Sequence, residues 1–220
     1  MKFYWIKTHW LIKKILSGFT WDIPTAKKIV YLTFDDGPTP EITNWTLALL
    51  KAYNAKATFF CIGENVAKYP ELFKKLKTEG HTIGNHTYNH LNGWHTSTKD
   101  YIENVELCEI TLHKNGLHSS EKKFFRPPYG KVKPRQFKLL KQRGYQIIMW
   151  DVLSADFDTT ISPEQCAQNV LKNIKPGSIL IFHDSLKASK NLKYALPQTL
   201  EYLQKNGYEM RPIGFVPEPN

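Results

Sequence analysis

The chain has 220 residues, of which 41% are hydrophobic, 23% charged and 13% aromatic, a globular composition that excludes a disordered or collagen-like chain. Thirty Lys and Arg against twenty Asp and Glu leave a formal net charge of +10, a field that favours polyanions or an anionic membrane surface without naming a partner. The three cysteines are scattered and include no CxxC pair, which excludes a disulfide framework and a thiolate zinc knuckle.

Residues 1–28 form a basic and aromatic segment, which we interpret as an N-terminal arm ahead of a single domain at residues 29–220. The arm carries six lysines against one aspartate, interleaved with tryptophan, isoleucine and leucine. Because lysines interrupt its apolar runs, we expect no signal peptide, no transmembrane helix and, by default, a cytoplasmic protein. Two alternatives stay open for the arm: residues 1–20 associate weakly with an anionic membrane surface, or its apolar face packs on the domain.

Short β-favouring runs alternate with helix-length segments along the rest of the chain. The predicted strands are Ile29–Phe34, Ala57–Cys61, Thr82–Ile83, Lys123–Phe125, Gln146–Val152, Ser178–Phe182 and Tyr208–Pro212. Helix starts are indicated at Thr39-Pro40, at Ser97 and at Ser162-Pro163. This alternation predicts an α/β fold, either a small or incomplete β/α barrel of about seven units or a doubly wound open sheet. Chemistry in a barrel gathers at the carboxyl ends of the strands.

Two adjacent aspartates, Asp35 and Asp36, follow the first predicted strand and precede Gly37-Pro38. Adjacent residues of a regular strand point to opposite faces, but a Gly-Pro turn breaks the pleat. Both carboxylates could then face one cleft. The alternative is an ordinary Asp-Gly-Pro turn with two solvated or capping carboxylates.

Two histidines follow the third predicted strand. Asn85 is a candidate N-cap, which predicts that His86 and His90 lie four residues apart on one helical face. That spacing lets two imidazoles reach one metal ion, and a carboxylate from Asp35 or Asp36 would complete the set. Two histidines and one carboxylate with open positions suit catalytic Zn²⁺ or another borderline divalent ion. A pair of surface histidines is the alternative.

Later strand ends carry further groups capable of catalysis. Arg126 and Tyr129 lie in a stiff Pro-Pro loop, where the guanidinium could pair with a carboxylate and the Tyr129 N–H could bind an oxyanion. Asp156 follows the fifth predicted strand, and His183 and Asp184 follow the sixth. A histidine beside a carboxylate can serve as an acid near neutral pH.

Taken together, these strand ends resemble the five motifs of the polysaccharide deacetylase family, carbohydrate esterase family four, which includes chitooligosaccharide and peptidoglycan deacetylases. The motifs occur in order as Thr33–Pro38, His86–His90, Arg126–Gly130, Trp150–Phe157 and Ile181–His183. The resemblance implies a distorted, incomplete (β/α)7 barrel in a single domain. In the fourth motif Leu153 stands where the family usually has its first aspartate, and Phe157 replaces a tryptophan. These two departures put substrate preference in doubt.

The resemblance also implies the reaction, which is metal-dependent hydrolysis of an N-acetylated glycan with release of acetate. The implied metal ligands are Asp36, His86 and His90. The implied ion is Zn²⁺, with Co²⁺ or Ni²⁺ as alternatives. The expected partner is an acetylated glycan and not a nucleic acid, and we expect a monomer.

The resemblance assigns distinct roles to the remaining motif residues. Asp35, positioned by Arg126, would be the general base. His183, oriented by Asp156, would be the general acid. The Tyr129 N–H would stabilise the oxyanion.

Two other functions remain to be weighed against a deacetylase. A glycosidase could use Asp35 with Asp156 or Asp184, but it leaves the histidine pair and Arg126 without a role. A metal-binding carbohydrate-recognition protein without activity would require neither the proposed base nor the proposed acid.

Overall fold

The computed structural model describes residues 4–118 and 122–214, so residues 1–3 of the predicted arm and 215–220 of the predicted domain lie outside the described part. The described residues form one curled sheet and eight α-helices. The strands are β1 (Ile29–Asp35), β2 (Ala57–Cys61), β3 (Thr82–Asn85), β4 (Phe124–Phe125), β5 (Gln146–Ile147), β6 (Val152–Leu153), β7 (Ile179–His183) and β8 (Glu209–Met210). The α-helices are α1 (Trp10–Ile15), α2 (Pro40–Ala52), α3 (Gly63–Lys68), α4 (Pro70–Thr78), α5 (Thr98–Lys114), α6 (Pro134–Gln142), α7 (Pro163–Leu171) and α8 (Ser189–Lys205). Short 3-10 turns lie at Gly93–His95 and Pro128–Gly130.

The sheet runs in the order β5-β4-β3-β2-β1-β7-β6, with β8 added beside the start of β1, and every strand pair is parallel. The prediction of a distorted, incomplete (β/α)7 barrel in one domain is confirmed. All seven residues of β1 are buried, as expected for a central strand covered on both faces. The main hydrophobic core packs this strand and its neighbours against the helices that follow them.

The prediction of one strand over Gln146–Val152 is wrong, because the chain changes partners within it. β5 pairs with β4 at one edge of the sheet, whereas β6 pairs with β7 at the other edge. Ile148 still donates its N–H to the Phe125 carbonyl, but Asp151 donates to the Ile179 carbonyl. Periodicity alone could not reveal this crossing, since the residues on both sides of it are β-favouring and buried.

The arm fills the gap that the two edge strands leave open. Thr20 donates its N–H to the Ile147 carbonyl and accepts from the Met149 N–H. Nearer the start of the chain, Leu153 of β6 donates its N–H to the Ile6 carbonyl. Both exposed edges are therefore hydrogen-bonded to the arm, which protects them from pairing with another chain.

The arm is anchored mainly through charge. Lys7 and Lys13 both donate to the carboxylate of Asp151, a side chain that is 3% exposed and also accepts from Ser178. Some apolar arm residues pack inward, and Phe19 lies against Phe137 with ring centroids 4.6 Å apart. None of the helices in the described ranges is long and apolar enough to cross a bilayer.

Candidate active site

The end of β1 places Asp35 beside Arg126 in the interior of the barrel. Arg126 is fully buried and donates through Nη1 to Asp35 Oδ1 at 2.7 Å and to Thr33 Oγ1 at 2.7 Å. Its other nitrogens donate to the carbonyls of Ile148 and Met149. With its donors committed to these acceptors, the guanidinium holds the carboxylate in one orientation.

The backbone leaves the extended strand conformation at Asp36, as we expected from the Gly-Pro turn that follows. Its φ of 77° lies in the left-handed region, and its carbonyl accepts from the amide of Asn65 at 2.7 Å. A Cβ atom at Gly37 would lie 2.0 Å from Asp184 Oδ2, so only glycine fits beneath this turn. Asp35 and Asp36 therefore face one cleft: each lies within 3.8 Å of His86 Nε2.

The predicted helix over His86–His90 is wrong, although the two histidines do meet. The segment is an irregular loop in which Thr87 and His90 have φ values of 65° and 55°. The ring centroids of His86 and His90 are 5.0 Å apart. The spacing of the two histidines therefore predicted correctly that their rings lie close together. The segment that brings them together is a loop and not the predicted helix.

Side chains of the neighbouring elements hold this loop in place. Asn85 does not act as an N-cap; its Oδ1 accepts from the Thr87 N–H at 2.9 Å. From α5, Asn104 Oδ1 accepts from the N–H groups of Tyr88 and Asn89. Hydrogen bonds to both amides stabilise a backbone that includes two positive φ angles.

Asp36, His86 and His90 form a candidate metal site. One ligand atom from each lies within 4.8 Å of the other two. His86 Nδ1 donates to the Arg126 carbonyl at 2.7 Å, which leaves Nε2 with a lone pair facing Asp36 Oδ1 at 3.7 Å. His90 Nε2 lies 3.2 Å from the same oxygen.

The electrostatics of this triad fit a cation. Burial lowers the pKa of His86 to about 4, so its imidazole is neutral, as a ligand must be. Burial opposes ionisation of Asp36, but His90, His183 and His86 together hold its pKa well below the usual range. Asp36 Oδ1 is buried and accepts no hydrogen bond of good geometry within the described residues. A buried anionic oxygen of this kind is costly unless a cation occupies the site.

The end of β7 places His183 across from Asp35, since the two residues are partners in the β1–β7 register. His183 Nδ1 lies 2.7 Å from Asp156 Oδ1, and its backbone N–H donates to Asp156 Oδ2 at 2.8 Å. Burial opposes a charge on the ring, but the Asp156 carboxylate, aided by Asp36 and Asp35, outweighs it and raises the pKa of His183 to about 9. The ring is therefore cationic at neutral pH and carries a proton on Nε2.

The rim of the cleft carries the other predicted residues. Tyr129 is 60% exposed with a φ of 60°, and its hydroxyl lies 3.1 Å from His90 Nδ1. Phe157 stands between His183 and the arm residue Tyr4, with ring centroids 5.1 and 5.7 Å away. Leu153 is 3% exposed and lies in an apolar cluster, away from the carboxylates.

Sequence reasoning missed the structural role of Asp184. Its oxygens accept from the Gly37 N–H and the Thr43 hydroxyl, and burial raises its pKa to about 7. It supports the turn that carries Asp36 and does not face the cleft as a second glycosidase carboxylate would. Its position directly after His183 could have indicated that Asp184 lies near the site. Nothing in the sequence indicated that Asn104 on α5 would bind the His86–His90 loop.

Comparison with known proteins agrees with this geometry. The sequence profile described as polysaccharide deacetylase matches residues 22–148. A peptidoglycan-N-acetylglucosamine deacetylase of Bacillus cereus is 38% identical over 202 residues, covering 90% of this chain and 93% of the relative.

Two solved structures extend the comparison. The Bc1960 peptidoglycan N-acetylglucosamine deacetylase superposes with a TM-score of 0.83 at 32% identity, covering 91% of this chain and 94% of that one. BA3943 of Bacillus anthracis, described as a pseudoenzyme of carbohydrate esterase family four, superposes at 0.77 and 25% identity, covering 88% and 66%. The fold alone therefore does not guarantee activity, which must be argued from the side chains present.

Proposed function

Because the chain belongs to the polysaccharide deacetylase family, we propose that it hydrolyses the N-acetyl groups of N-acetylglucosamine residues in peptidoglycan, releasing acetate and a free amino sugar. Its similarity to peptidoglycan deacetylases over nine-tenths of its length supports the choice of glycan. The observation that carries the reaction is the placement of two polar pairs, Asp35–Arg126 and His183–Asp156, on neighbouring strand ends beside the Asp36–His86–His90 triad.

We propose Zn²⁺ as the ion held by Asp36, His86 and His90. Two imidazole nitrogens and one carboxylate oxygen are a donor set typical of catalytic zinc, and three protein ligands leave a position open. Co²⁺ and Ni²⁺ accept the same donors. When bound, such an ion supplies Lewis acidity, which lowers the pKa of a water molecule and polarises the acetamide carbonyl.

The chain's own residues would then divide the proton transfers between two sides of the cleft. Asp35, fixed by Arg126, accepts the proton of the attacking water. His183 donates its Nε2 proton to the departing nitrogen, because Asp156 occupies Nδ1 and keeps the ring charged. The Tyr129 backbone N–H stabilises the developing oxyanion. After one turnover, Asp35 has gained the proton that His183 has lost.

The other two functions explain less of the site. Both oxygens of Asp156 accept from His183, and both of Asp184 support the Gly37 turn, so neither is available as a second glycosidase carboxylate. A pure binding protein would have no need of a charged His183 facing Asp35.

Acetate release tests the proposal directly. The protein should release acetate from peptidoglycan and from N-acetylglucosamine oligomers, and a chelator should abolish this activity. Zn²⁺ added back should restore activity in proportion to the metal bound, measured by elemental analysis. Full activity in protein shown to contain no metal would overturn the metal assignment. Metal-loaded protein that releases reducing sugar ends and no acetate would overturn the reaction.

A further inference from the structure

Helix α1 of the arm presents an apolar surface to solvent. Its outward face, here called the arm ridge, consists of Trp10, Leu11, Lys14, Ile15 and the following Leu16. Trp10 is 64% exposed and Ile15 is 69% exposed, more than any other large apolar side chain in the described part of the arm. Exposed apolar side chains gathered on one face mark an interaction site more often than isolated ones do.

The arm ridge is exposed because the arm is oriented by its cations. Lys7 and Lys13 point inward and bind the buried carboxylate of Asp151. Between them and the ridge, Ile12 is half-buried against the barrel. A surface helix normally directs its apolar face to the core and its lysines to water, whereas α1 turns Lys13 inward and leaves Trp10, Leu11 and Ile15 exposed.

A groove of about 400 Å³ continues the apolar surface toward the barrel rim. The groove is lined by Ile15 and Leu16 from the arm and by Trp94 and Phe137 from the barrel. Trp94 is itself 57% exposed. The ridge and groove thus form one continuous surface with tryptophans on both sides.

The surface next to the groove is strongly basic. Residues 131–143 carry six Lys and Arg and no acidic residue. Arg135 and Arg143 of this segment line a separate cleft with Glu103 and Glu106, and the other four are lysines. Lys131 lies over the Trp94 ring at 5.1 Å, and Lys138 of α6, the residue after Phe137, is exposed. Lys14 adds a further exposed cation within the ridge itself. Exposed tryptophan and aliphatic residues bordered by cations are the pattern of a helix that lies in the interface of an anionic bilayer.

We propose that the arm ridge docks on an anionic lipid bilayer, with Trp10, Leu11 and Ile15 entering the headgroup region and Lys14, Lys131 and Lys138 facing lipid phosphates. A glycan strand fits less well, because sugars stack on flat aromatic faces and the protruding ridge residues are largely aliphatic. A purely apolar protein surface would not neutralise the basic residues around the ridge, whereas lipid phosphates would. The attachment is peripheral, and it is independent of the deacetylation reaction.

Vesicle flotation tests the docking with the full chain. The protein should float with vesicles of phosphatidylcholine containing phosphatidylglycerol, and not with phosphatidylcholine alone. The double variant Trp10→Ser, Ile15→Ser should lower partitioning at least ~10-fold, because both side chains are lost from the buried apolar area. The matched control Leu107→Ser, Ile110→Ser removes two exposed apolar residues of α5 and should bind like the wild type.

Charge is tested by a second pair of variants. Lys14→Gln with Lys138→Gln should weaken binding by about 5-fold for each charge, whereas Lys51→Gln with Lys190→Gln, both exposed elsewhere, should not. All these variants should release acetate from soluble oligomers at the wild-type rate, so loss of docking is separable from loss of catalysis.

The proposal is overturned if the wild type does not bind anionic vesicles, or if the arm-ridge variants bind as it does. It is also overturned if the Trp10→Ser, Ile15→Ser change instead abolishes sedimentation with insoluble peptidoglycan, or converts a dimer to a monomer in light scattering.

Discussion

Replacing Asp156 with asparagine should move the alkaline limit of activity toward neutral pH. The carboxylate raises the pKa of His183 from 6.5 to about 9 against the effect of burial. That rise corresponds to about 3 kcal/mol of preference for the charged ring. Asparagine keeps the shape and an acceptor for Nδ1 but removes the charge. Burial is then opposed only by Asp36 and Asp35, so the pKa of His183 falls.

The effect on rate follows from the protonated fraction of His183. At pH 8 a pKa near 9 leaves ~90% of the ring protonated, whereas a pKa of 6.5 leaves ~3%. The variant's kcat/KM should therefore fall by up to ~30-fold at pH 8 from protonation alone, the full figure applying if the pKa returns to the ordinary histidine value, and the loss should shrink as the pH is lowered toward 6. The assay is the pH profile of kcat/KM for acetate release.

Stability should change with pH in the same sense. The folded-state pKa of His183 lies above its unfolded value, so its contribution is complete below about 6.5 and is lost as pH rises through about 9. The wild type should have a higher free energy of unfolding than the Asp156→Asn variant at pH 6. This advantage should shrink by up to about 3 kcal/mol when the pH is raised to 10.

Asp158→Asn is the matched control for this prediction. Asp158 lies two residues away, is also buried, and accepts hydrogen bonds from Tyr4 and Thr160 and not from His183. Its substitution should leave the alkaline limb where it is. An Asp156→Asn variant whose alkaline limb coincides with that of wild type would refute His183 as the acid.

Three further predictions concern the aspartates and the fourth motif. Asp35→Asn should retain zinc while kcat falls on the order of 10²–10⁴-fold, and Asp36→Asn should first lose zinc affinity and recover part of its rate in excess Zn²⁺; zinc rescue of the Asp35 variant alone would reverse the two roles. Phe157→Trp should change the ratio of rates on peptidoglycan and on N-acetylglucosamine oligomers at unchanged zinc content, and an unchanged ratio would exclude Phe157 from substrate preference. Leu153→Asp should destabilise the protein by ~3 kcal/mol in urea unfolding, because it buries a charge among apolar side chains; an equally stable and faster variant would contradict this.

The sequence predicted the barrel, and which residues meet at its strand ends, better than it predicted local conformation. β1 and β2 were predicted almost to the residue, because buried parallel strands read as continuous apolar runs. The His86–His90 loop was misread as a helix, because the spacing of four residues suits both a helix and this loop. What selects the loop is its bonding to Asn104 on α5, a contact between segments that no local pattern records.

The arm was the part of the fold least accessible to sequence reasoning. Its alternating lysines and apolar residues suggested a helix with an inward apolar face. The orientation is decided by Asp151, which is buried on the barrel and draws Lys7 and Lys13 toward itself. Two short ion pairs to one buried carboxylate outweigh the exposure of Trp10 and Ile15. A pattern confined to the arm could not contain that information.

The arm also explains why the fourth motif departs from the family pattern at Leu153. The N–H of Leu153 donates to the carbonyl of Ile6, and its side chain lies in the cluster that Tyr4 and Ile6 join. A carboxylate at this position would be buried beneath the arm among apolar side chains. Leu153 and the apolar start of the arm thus pack against each other, and the same cluster brings Tyr4 against Phe157, whose ring packs edge-to-face with that of His183.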